Sequence, residues 1–386
     1  MNEQSSRRRF LIAGLSLPAF GNVSSSSRQP AAAGSAPAAS GLRYRNLGKT
    51  GLKVTSVGFG CMITSDPTVI ERAADAGINY FDTARGYQGG NNERMVGAAL
   101  KSKRKSVVVS SKSHASGKEE ALRDLETSLR ELGTDYLDIW HLHAKSRPEQ
   151  LTEELMEAQR VAKQQGKIRF AGVSTHAGHA ELIPAAVKTG HFDVILTSYN
   201  FSMDPLMEKL IADARQAGVG IVAMKVMAGG FRKVREADPL HPKLGREGAM
   251  LAMLKWVLKN SNVDTTIPSI TDLDQLDENL RVMTEAFGAA DQKLLAGHLE
   301  HIRPLYCRMC GACEGACARG LPVSDIIRYV SYAEGYGQYQ LGREGFLTIP
   351  AELRQASCAS CVKCAVRCPN GVQVGERVAR AHELFA

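Results

Sequence analysis

Eight of the nine cysteines lie in two closely spaced runs near the C-terminus of this 386-residue chain. The first run is Cys307-x2-Cys310-x2-Cys313-x3-Cys317, and the second is Cys358-x2-Cys361-x2-Cys364-x3-Cys368, which Pro369 follows directly. In two-cluster ferredoxins, three cysteines of a run hold one [4Fe–4S] cluster and the fourth ligates the cluster of the other run. The spacing therefore predicts two clusters, one on Cys307, Cys310, Cys313 and Cys368, the other on Cys358, Cys361, Cys364 and Cys317.

Two other interpretations of these cysteines stay open. Zinc sites usually use two well-separated Cys-x2-Cys pairs, and thiols spaced this densely are poorly placed for independent disulfides. The first run has Ala318 where the second has Pro369, so it departs from the ferredoxin pattern at that position. The spacing still favours iron–sulfur clusters over both alternatives, and such clusters imply the transfer of single electrons.

The N-terminus combines arginines with a short apolar stretch. Ser6-Arg7-Arg8-Arg9-Phe10-Leu11 precedes the mostly apolar residues 12–20, and this pattern resembles a twin-arginine export signal. The stretch is too short for a stable membrane span, and residues 24–40 read as a low-complexity linker. Because iron–sulfur clusters are assembled in the cytoplasm, a protein that carries them must leave the cell folded. We therefore expect a periplasmic or otherwise exported protein that uses the twin-arginine export machinery, with a disordered basic tail as the alternative.

The positive charge gives little reason to expect a nucleic-acid partner. The net charge is +8, and removing Arg7, Arg8, Arg9 and Arg28 together with Glu3 leaves about +5. No basic stripe or aromatic platform accompanies this mild excess, so we expect no nucleic acid among the partners.

Residues 42–290 alternate short apolar, β-branched segments with amphipathic ones, such as 119–132 and 149–165. The predicted strands cover residues 54–60, 78–82, 107–111, 137–142, 169–173, 194–197, 220–224 and 265–267. Helix-ending glycines lie between them, at Gly77, Gly133, Gly166 and Gly218. Eight strand–helix units in about 250 residues is the number in a closed (β/α)8 TIM barrel. An open doubly wound sheet is the alternative, although no Gly-x-Gly-x-x-Gly follows the first strand.

These patterns predict an α/β chain with three parts. Residues 1–41 would be the export signal and linker, residues 42–290 the TIM barrel, and residues 291–386 a small ferredoxin-like iron–sulfur domain.

Four polar side chains follow three neighbouring predicted strands. Asp82 ends the second strand, with Tyr87 five residues further on. Lys112 follows the third strand and His143 the fourth. The active sites of such barrels lie at the C-terminal ends of the strands. An acid, a phenol, a lysine and an imidazole at one barrel mouth suit proton transfer to a carbonyl oxygen, because the ammonium can lower the pKa of the phenol.

Several short motifs occur in a fixed order along the barrel. They are Tyr44-Arg45-Asn46-Leu47-Gly48, Asp82-Thr83-Ala84-x-x-Tyr87, Asn92-Glu93-Arg94, Asp135-Tyr136-Leu137-Asp138, Gly172-Val173-Ser174, Tyr199-Asn200, Ala223-Met224-Lys225 and Asp277-Glu278-Asn279. Their order and spacing resemble the aldo/keto reductase family, and within it the exported members that have a ferredoxin-like tail. The resemblance implies a catalytic set of Asp82, Tyr87, Lys112 and His143, with Tyr87 as the proton donor and a nicotinamide lying across the barrel mouth.

The resemblance also implies a cofactor-binding set, which comprises Ser174, Lys225, Ser269, Gln275 and Asn279. Ser269 and Gln275 stand where NADP-preferring members carry a lysine and an arginine, so the cations that would bind a 2′-phosphate are missing. Leu196 replaces the glutamine that usually stacks near the nicotinamide. NAD(P)(H), with a leaning toward NAD, is therefore the expected cofactor.

Two further residues compete for roles at the mouth. His141 lies two positions before His143, so both side chains point to the same face of the strand. We expect His141 to lie one layer deeper, as an interior histidine. Cys61 is expected to be a small buried residue, with a place near the nicotinamide as the alternative.

Together these features predict a periplasmic oxidoreductase that interconverts carbonyls and alcohols and transfers electrons through two clusters. The expected partners are a small carbonyl or alcohol substrate and a redox partner protein. The alternative is a non-catalytic electron-transfer or cofactor-binding protein built on the same barrel.

The segment between the cysteine runs also has a pattern. Residues 323–333 predict a helix, and Tyr329, Tyr332, Tyr336 and Tyr339 recur before Gly342, where we expect the run to end. These tyrosines either dock a redox partner or pack on the barrel.

Overall fold

A computed structural model describes residues 41–230, 249–356, 358, 361 and 364–386. The predicted export signal and most of the linker lie outside these residues. Within the described part of the chain, no helix combines the length and the apolar character that a membrane crossing requires.

The core of the described chain is a closed barrel of parallel strands. The barrel strands are β3 (Phe59–Gly60), β4 (Tyr80–Asp82), β5 (Val108–Ser113), β6 (Leu137–Leu142), β7 (Ile168–Thr175), β8 (Val194–Ser198), β9 (Gly220–Met224) and β10 (Thr265–Thr266). Before them, β1 (Tyr44–Asn46) and β2 (Lys53–Thr55) form a separate hairpin. Strands β3 to β10 pair in chain order, and parallel bridges from Val57 to Thr266 and from Gly60 to Ser269 join the two ends. The predicted eight-stranded barrel is confirmed.

Helices surround this barrel and continue beyond it. Those described are α1 (Pro67–Asp75), α2 (Asn91–Leu100), α3 (Lys118–Leu132), α4 (Glu153–Gln164), α5 (His179–Thr189), α6 (Leu206–Gln216), α7 (Ala249–Lys259), α8 (Leu273–Val282), α9 (Ala289–Ile302), α10 (Val323–Glu334), α11 (Tyr339–Leu347), α12 (Ala351–Arg354) and α13 (Val374–Phe385). The helices predicted over 119–132 and 149–165 correspond to α3 and α4. Helix α3 ends at Gly133, whose φ of 62° suits glycine because it has no Cβ.

Alternate residues of each strand face two different layers, as the period of a β-strand requires. In β6, Trp140 packs into the layer between strands and helices, whereas Ile139 packs inside the barrel with Val194 and Val222. The predicted first strand, 54–60, proves to be two short strands. Its first half, β2, pairs antiparallel with β1, and Leu47 and Val54 of this hairpin join the apolar cluster inside the barrel.

The C-terminal region belongs to the same compact unit as the barrel. Helix α9 packs on α7 through Leu295 and Ile302, and α10, α11 and α13 enclose a second apolar core that includes Ile326, Phe346 and Phe385. The described residues of this region contain helices and turns but no strand. The predicted ferredoxin-like fold is therefore not confirmed.

The helix predicted over 323–333 is confirmed by α10, which covers Val323–Glu334. The expected break at Gly342 is wrong, because Gly342 lies inside α11. Gly342 serves close packing instead, since a Cβ at this position would lie 2.6 Å from the carbonyl oxygen of Tyr329 and 2.9 Å from the ring of Phe385.

Candidate active site

The register of the parallel strands brings the predicted catalytic residues to one end of the barrel. Asp82 is opposite Ser110 in the β4–β5 pair, and Lys112 is opposite His141 in the β5–β6 pair. Because neighbouring strands run in the same direction, their C-terminal ends share one edge. Asp82, Lys112 and His143 therefore meet at the barrel mouth.

Asp82 and Lys112 form a buried ion pair in which the ammonium and both carboxylate oxygens have hydrogen-bond partners. The Lys112 Nζ donates to Asp82 Oδ1 at 2.5 Å and to the Thr83 carbonyl oxygen at 2.6 Å, and the Ser110 hydroxyl donates to Asp82 Oδ2 at 2.6 Å. Burial acts to lower the pKa of Lys112, but Asp82 outweighs it and the pKa lies above its usual value. The lysine therefore keeps its proton and presents a fixed positive charge.

Tyr87 places its phenol beside this charge. Its hydroxyl lies 3.4 Å from Lys112 Nζ, and the residue lies in a short helical turn, Tyr87–Gly90, after β4. The expected lowering of the phenol pKa is wrong in its net direction. Burial raises the pKa of Tyr87 above 10 and outweighs the opposing effect of Lys112. The phenol therefore stays protonated at neutral pH, as a proton donor requires.

Four polar contacts position the loop that carries Tyr87. The Thr83 hydroxyl donates to Asn92 Oδ1 at 2.6 Å, and Asn92 Nδ2 donates to the Cys61 carbonyl oxygen at 2.8 Å. Arg85 forms an ion pair with Glu93, which also accepts a hydrogen bond from the Ser111 hydroxyl at 2.6 Å. These contacts tie the loop to the ends of β3 and β5.

His143 lies opposite Tyr87 in a group of three imidazoles. Its ring stacks on His114 with centroids 3.8 Å apart, and the His176 ring centroid is 6.2 Å away. Burial, followed by the charges of His114 and Lys112, lowers the pKa of His143 well below 6.5. A neutral imidazole can donate a hydrogen bond to a carbonyl oxygen without adding charge.

His141 and Cys61, the two further residues considered for roles at the mouth, are both buried. His141 is fully buried inside the barrel, and burial together with Lys112 lowers its pKa to about 3. Cys61 is also fully buried, and burial raises the pKa of its thiol. Both positions match the interior roles expected for them.

A cavity of about 2200 Å³ opens above these residues. Its wall includes Asp82, Tyr87, His143, Lys225, Ser269 and Gln275. Sites for single small ligands usually measure roughly 300–1,000 Å³, so this cavity has room for a dinucleotide together with a substrate. Three of the five predicted cofactor residues, Lys225, Ser269 and Gln275, line it.

The other two predicted cofactor residues lie behind the wall. Ser174 is buried, and its hydroxyl accepts a hydrogen bond from the Ala144 N–H at 2.8 Å, which fixes the turn after His143. Asn279 is buried in α8, and its Nδ2 has no hydrogen-bond partner among the described residues.

The Gln275 side chain belongs to the start of α8. Its Nε2 donates to Asp272 Oδ2 at 2.6 Å and to the Thr271 hydroxyl at 2.8 Å. Asp272 also lines the cavity. A carboxylate at this position repels a phosphate and can accept a hydrogen bond from a ribose hydroxyl.

The C-terminal region contributes the opposite wall of the same cavity. Arg328, Tyr332 and Tyr336 of α10 and the turn after it line it. The Tyr332 hydroxyl lies 3.5 Å from Lys225 Nζ, and its ring stacks on Tyr336 with centroids 5.3 Å apart. These tyrosines therefore pack over the barrel mouth, which is the second of the two roles expected for them.

The cysteines are all unpaired, and they fall into two electrostatic groups. Burial, with smaller contributions from Cys313, Cys310 and Cys368, raises the pKa of the Cys307 thiol to about 12. Burial likewise raises the pKa of Cys358, and Cys364, Cys317 and Cys361 add to the effect. Each group joins three cysteines of one run to the fourth cysteine of the other.

Donors lie beside some of these thiols. The Met309 N–H donates to Cys307 Sγ and the Asn370 Nδ2 to Cys310 Sγ, each at 3.4 Å. Among the described residues, no three His, Cys, Asp or Glu side chains converge closely enough to hold a metal ion. The cysteines are thus grouped across the two runs, as the predicted ligation would require. The described side chains do not come close enough together to hold a metal ion.

Comparisons with known proteins identify the barrel. Residues 65–249 match the model of the aldo/keto reductase family. The barrel is therefore similar to the aldo/keto reductase family. An aldo-keto reductase from Bacillus halodurans superimposes with a TM-score of 0.56 at 26% identity, covering 70% of this chain and 98% of that one.

Other proteins that match the barrel in sequence have different names. L-Galactose dehydrogenase of Arabidopsis thaliana is 28% identical over 284 residues, which are 63% of this chain and 89% of that protein. A probable voltage-gated potassium channel subunit beta of Oryza sativa is 24% identical over 304 residues, 63% of this chain and 91% of that protein.

Sequence reasoning missed three residues of the cavity wall: His114, His176 and Arg328. A signal existed for the two histidines, because His114 follows Lys112 by two residues and His176 directly follows β7. Residues just after barrel strands face the mouth. The tyrosines near α10 were expected either on the barrel or at a partner, but no local pattern pointed to Arg328.

Proposed function

We propose that this protein is an exported oxidoreductase that interconverts a small carbonyl compound and an alcohol at the barrel mouth. The observation that carries this proposal is the buried Asp82–Lys112 pair beside Tyr87, with a neutral His143 across the cavity. The family supports NAD(P)(H) as cofactor. Bound NADH would supply the hydride.

Four residues of the chain carry out proton donation, charge stabilisation and orientation of the carbonyl. Tyr87 donates its proton to the carbonyl oxygen as negative charge develops there, and the positive charge of Lys112 stabilises the resulting phenolate. Asp82 balances the lysine charge and fixes its position. His143 donates a hydrogen bond that orients the carbonyl. Aldehyde or ketone reduction therefore requires no further acid.

The preference for NAD is supported by the cavity wall. Ser269 and Gln275 provide no cation, and Gln275 is held by Asp272. A 2′-phosphate would meet a carboxylate here instead of the two positive charges that it needs.

We propose further that the two cysteine groups each hold a [4Fe–4S] cluster and exchange electrons with a redox partner protein. The grouping of three cysteines with one and the neighbouring N–H donors support this part of the proposal. The export signal fits a protein that leaves the cytoplasm with its cofactors bound. A hydride carries two electrons and a cluster one, so coupling them requires a partner or cofactor able to separate the pair.

The test uses anaerobically purified full-length protein. Titration with NADH and NADPH, followed by nicotinamide fluorescence, is expected to show binding of NADH. NADH oxidation in the presence of a panel of aldehydes and ketones then reports turnover, and bleaching of visible absorbance by dithionite reports the clusters.

A second candidate function is an electron-transfer or cofactor-binding protein whose barrel does not turn over. The cover of α10 over Lys225, whose Nζ lies 3.5 Å from the Tyr332 hydroxyl, favours it. A relative named as a channel subunit shows that such barrels also occur in proteins not named as dehydrogenases. Protein that binds neither nucleotide yet bleaches with dithionite would establish this second function.

A further inference from the structure

The cavity above Tyr87 is assembled from two regions of the chain, and its second wall carries a cation that the barrel itself does not supply. Helix α10 lies between the two cysteine runs in sequence and lines the mouth with Arg328 and Tyr332. Any substrate that reaches Tyr87 and His143 must therefore pass side chains of the C-terminal region.

Arg328 shares a cavity wall with the histidines around His143. His114, His143, His176 and Arg328 all line the cavity, and His114 stacks directly on His143. After burial, the charge of Arg328 is also among those that lower the pKa of His176 and of His114.

Charged side chains of both signs line the cavity. The acids are Asp82, Asp272, Glu334, Glu344, Glu376 and Glu383, and the bases are Lys225, Arg328, Arg377 and Arg380. Asp82 pairs with Lys112, and Glu334 pairs with Arg377 and Arg380, each at 2.7 Å.

The Arg328 guanidinium is only partly engaged by its neighbours. Its Nη2 contacts Asp325 Oδ1 at 2.8 Å, and its guanidinium lies 5.4 Å from the centre of the Tyr329 ring. Its buried Nε has no hydrogen-bond partner among the described residues. A guanidinium offers five N–H donors in a planar fork that matches a carboxylate.

We propose that Arg328 is a specificity-determining residue that binds the carboxylate of a carbonyl substrate, so that the C-terminal region selects anionic aldehydes or ketones for the barrel. This inference rests on the proposed carbonyl reduction. Because Arg328 and His143 come from different regions of the chain that line one cavity, the proposal favours substrates whose carboxylate is well removed from the carbonyl carbon.

The experiment compares para-carboxybenzaldehyde with its methyl ester, which differ in charge but share the reacting aldehyde. We expect the wild type to prefer the carboxylate. Arg328→Gln is expected to lower kcat/KM for the carboxylate by about 10- to 100-fold, mainly through KM, as the loss of a charged hydrogen bond predicts. The ester should change little. Arg303→Gln is the matched control, because Arg303 also pairs with a carboxylate three residues earlier but lies outside the cavity wall.

Calorimetry without cofactor separates this inference from the proposed function. Binding of para-carboxybenzaldehyde by the wild type that Arg328→Gln abolishes supports the inference even if neither aldehyde is reduced. No binding by the wild type, an equal loss for acid and ester, or a loss of NADH affinity with unchanged carboxylate binding would overturn it. The last outcome would assign Arg328 to the phosphates of the cofactor.

Discussion

The barrel and the C-terminal region satisfy their buried polar groups in different ways. In the barrel, Asp138 is 1% exposed and accepts hydrogen bonds from Arg104 at 2.9 Å, Arg169 at 2.6 Å and the Val109 N–H at 3.0 Å. In the C-terminal region, the Cys307 thiol accepts a hydrogen bond from the Met309 N–H at 3.4 Å and has Cys310, Cys313 and Cys368 as electrostatic neighbours. The barrel thus satisfies its buried carboxylate with its own donors, whereas the cysteine groups would be completed by the proposed clusters.

This difference implies that the two regions depend differently on bound metal. The catalytic geometry of the barrel follows from strand pairing and should persist without metal. The C-terminal region has a smaller apolar core, against which Cys307, Cys313, Cys317, Cys358 and Cys368 pack, so its order should depend on cluster assembly.

The largest expected effect concerns the wiring of the clusters. Under the two-cluster rule the wild type should contain about eight irons per chain. The double variant Cys310→Ser/Cys368→Ser removes ligands from one group only and should keep about four irons. The double variant Cys310→Ser/Cys317→Ser removes a ligand from each group and should keep almost none.

Cys61→Ala is the control for this series, because Cys61 is buried in the barrel, and it should leave the iron content unchanged. The reverse order of the two double variants would show that each run binds its own cluster. Zinc in place of iron would remove electron transfer from the proposed function.

The next effect compares a phenol of the barrel with one of the C-terminal region. Tyr87→Phe should lower carbonyl reduction by at least ~10²-fold, the usual cost of losing a general acid, while NADH binding survives. Tyr332→Phe removes a phenol from the opposite wall of the same cavity and should cost far less. Steady-state rates of both variants with one aldehyde check this. Wild-type turnover in Tyr87→Phe would exclude Tyr87 as the donor.

The third prediction concerns the barrel wall at α8. Ser269→Lys combined with Gln275→Arg should tighten NADPH binding by roughly 10- to 100-fold, since each charged hydrogen bond contributes about 1.5–3 kcal/mol and the two rarely add fully. NADH affinity should barely move because it lacks the phosphate. Fluorescence titration measures both. A native protein that already binds NADPH far more tightly than NADH would contradict the assignment of this loop.

The smallest effect tests the acid sensitivity of the barrel. Burial lowers the pKa of His179 to about 4 from a usual value of 6.5. Between these values the unfolded chain binds a proton that the folded chain does not, so stability falls as the pH falls below 6.5 and is unaffected above it. His179→Gln should remove about 1.4 kcal/mol per pH unit from this slope. Urea unfolding at pH 5, 6 and 7 measures the slope, and an unchanged slope would contradict the assignment.

Much of the site was predictable because barrel strands obey a local rule. The period of a strand and the direction of its neighbours place Asp82, Lys112 and His143 at one edge, whatever the rest of the chain does. The pKa of Tyr87 was not predictable in this way. Its direction depends on the competition between burial and Lys112, and burial is a property of the assembled cavity.

The sequence by itself determined the barrel, the strand-end residues of its mouth and the cysteine spacing, because each of these depends on short-range periodicity. Only the tertiary structure brought Arg328 and Tyr332 of α10 to the wall opposite Tyr87. Such contacts join segments far apart in the chain, and they depend on how helices pack on the barrel, which no local pattern of residues encodes.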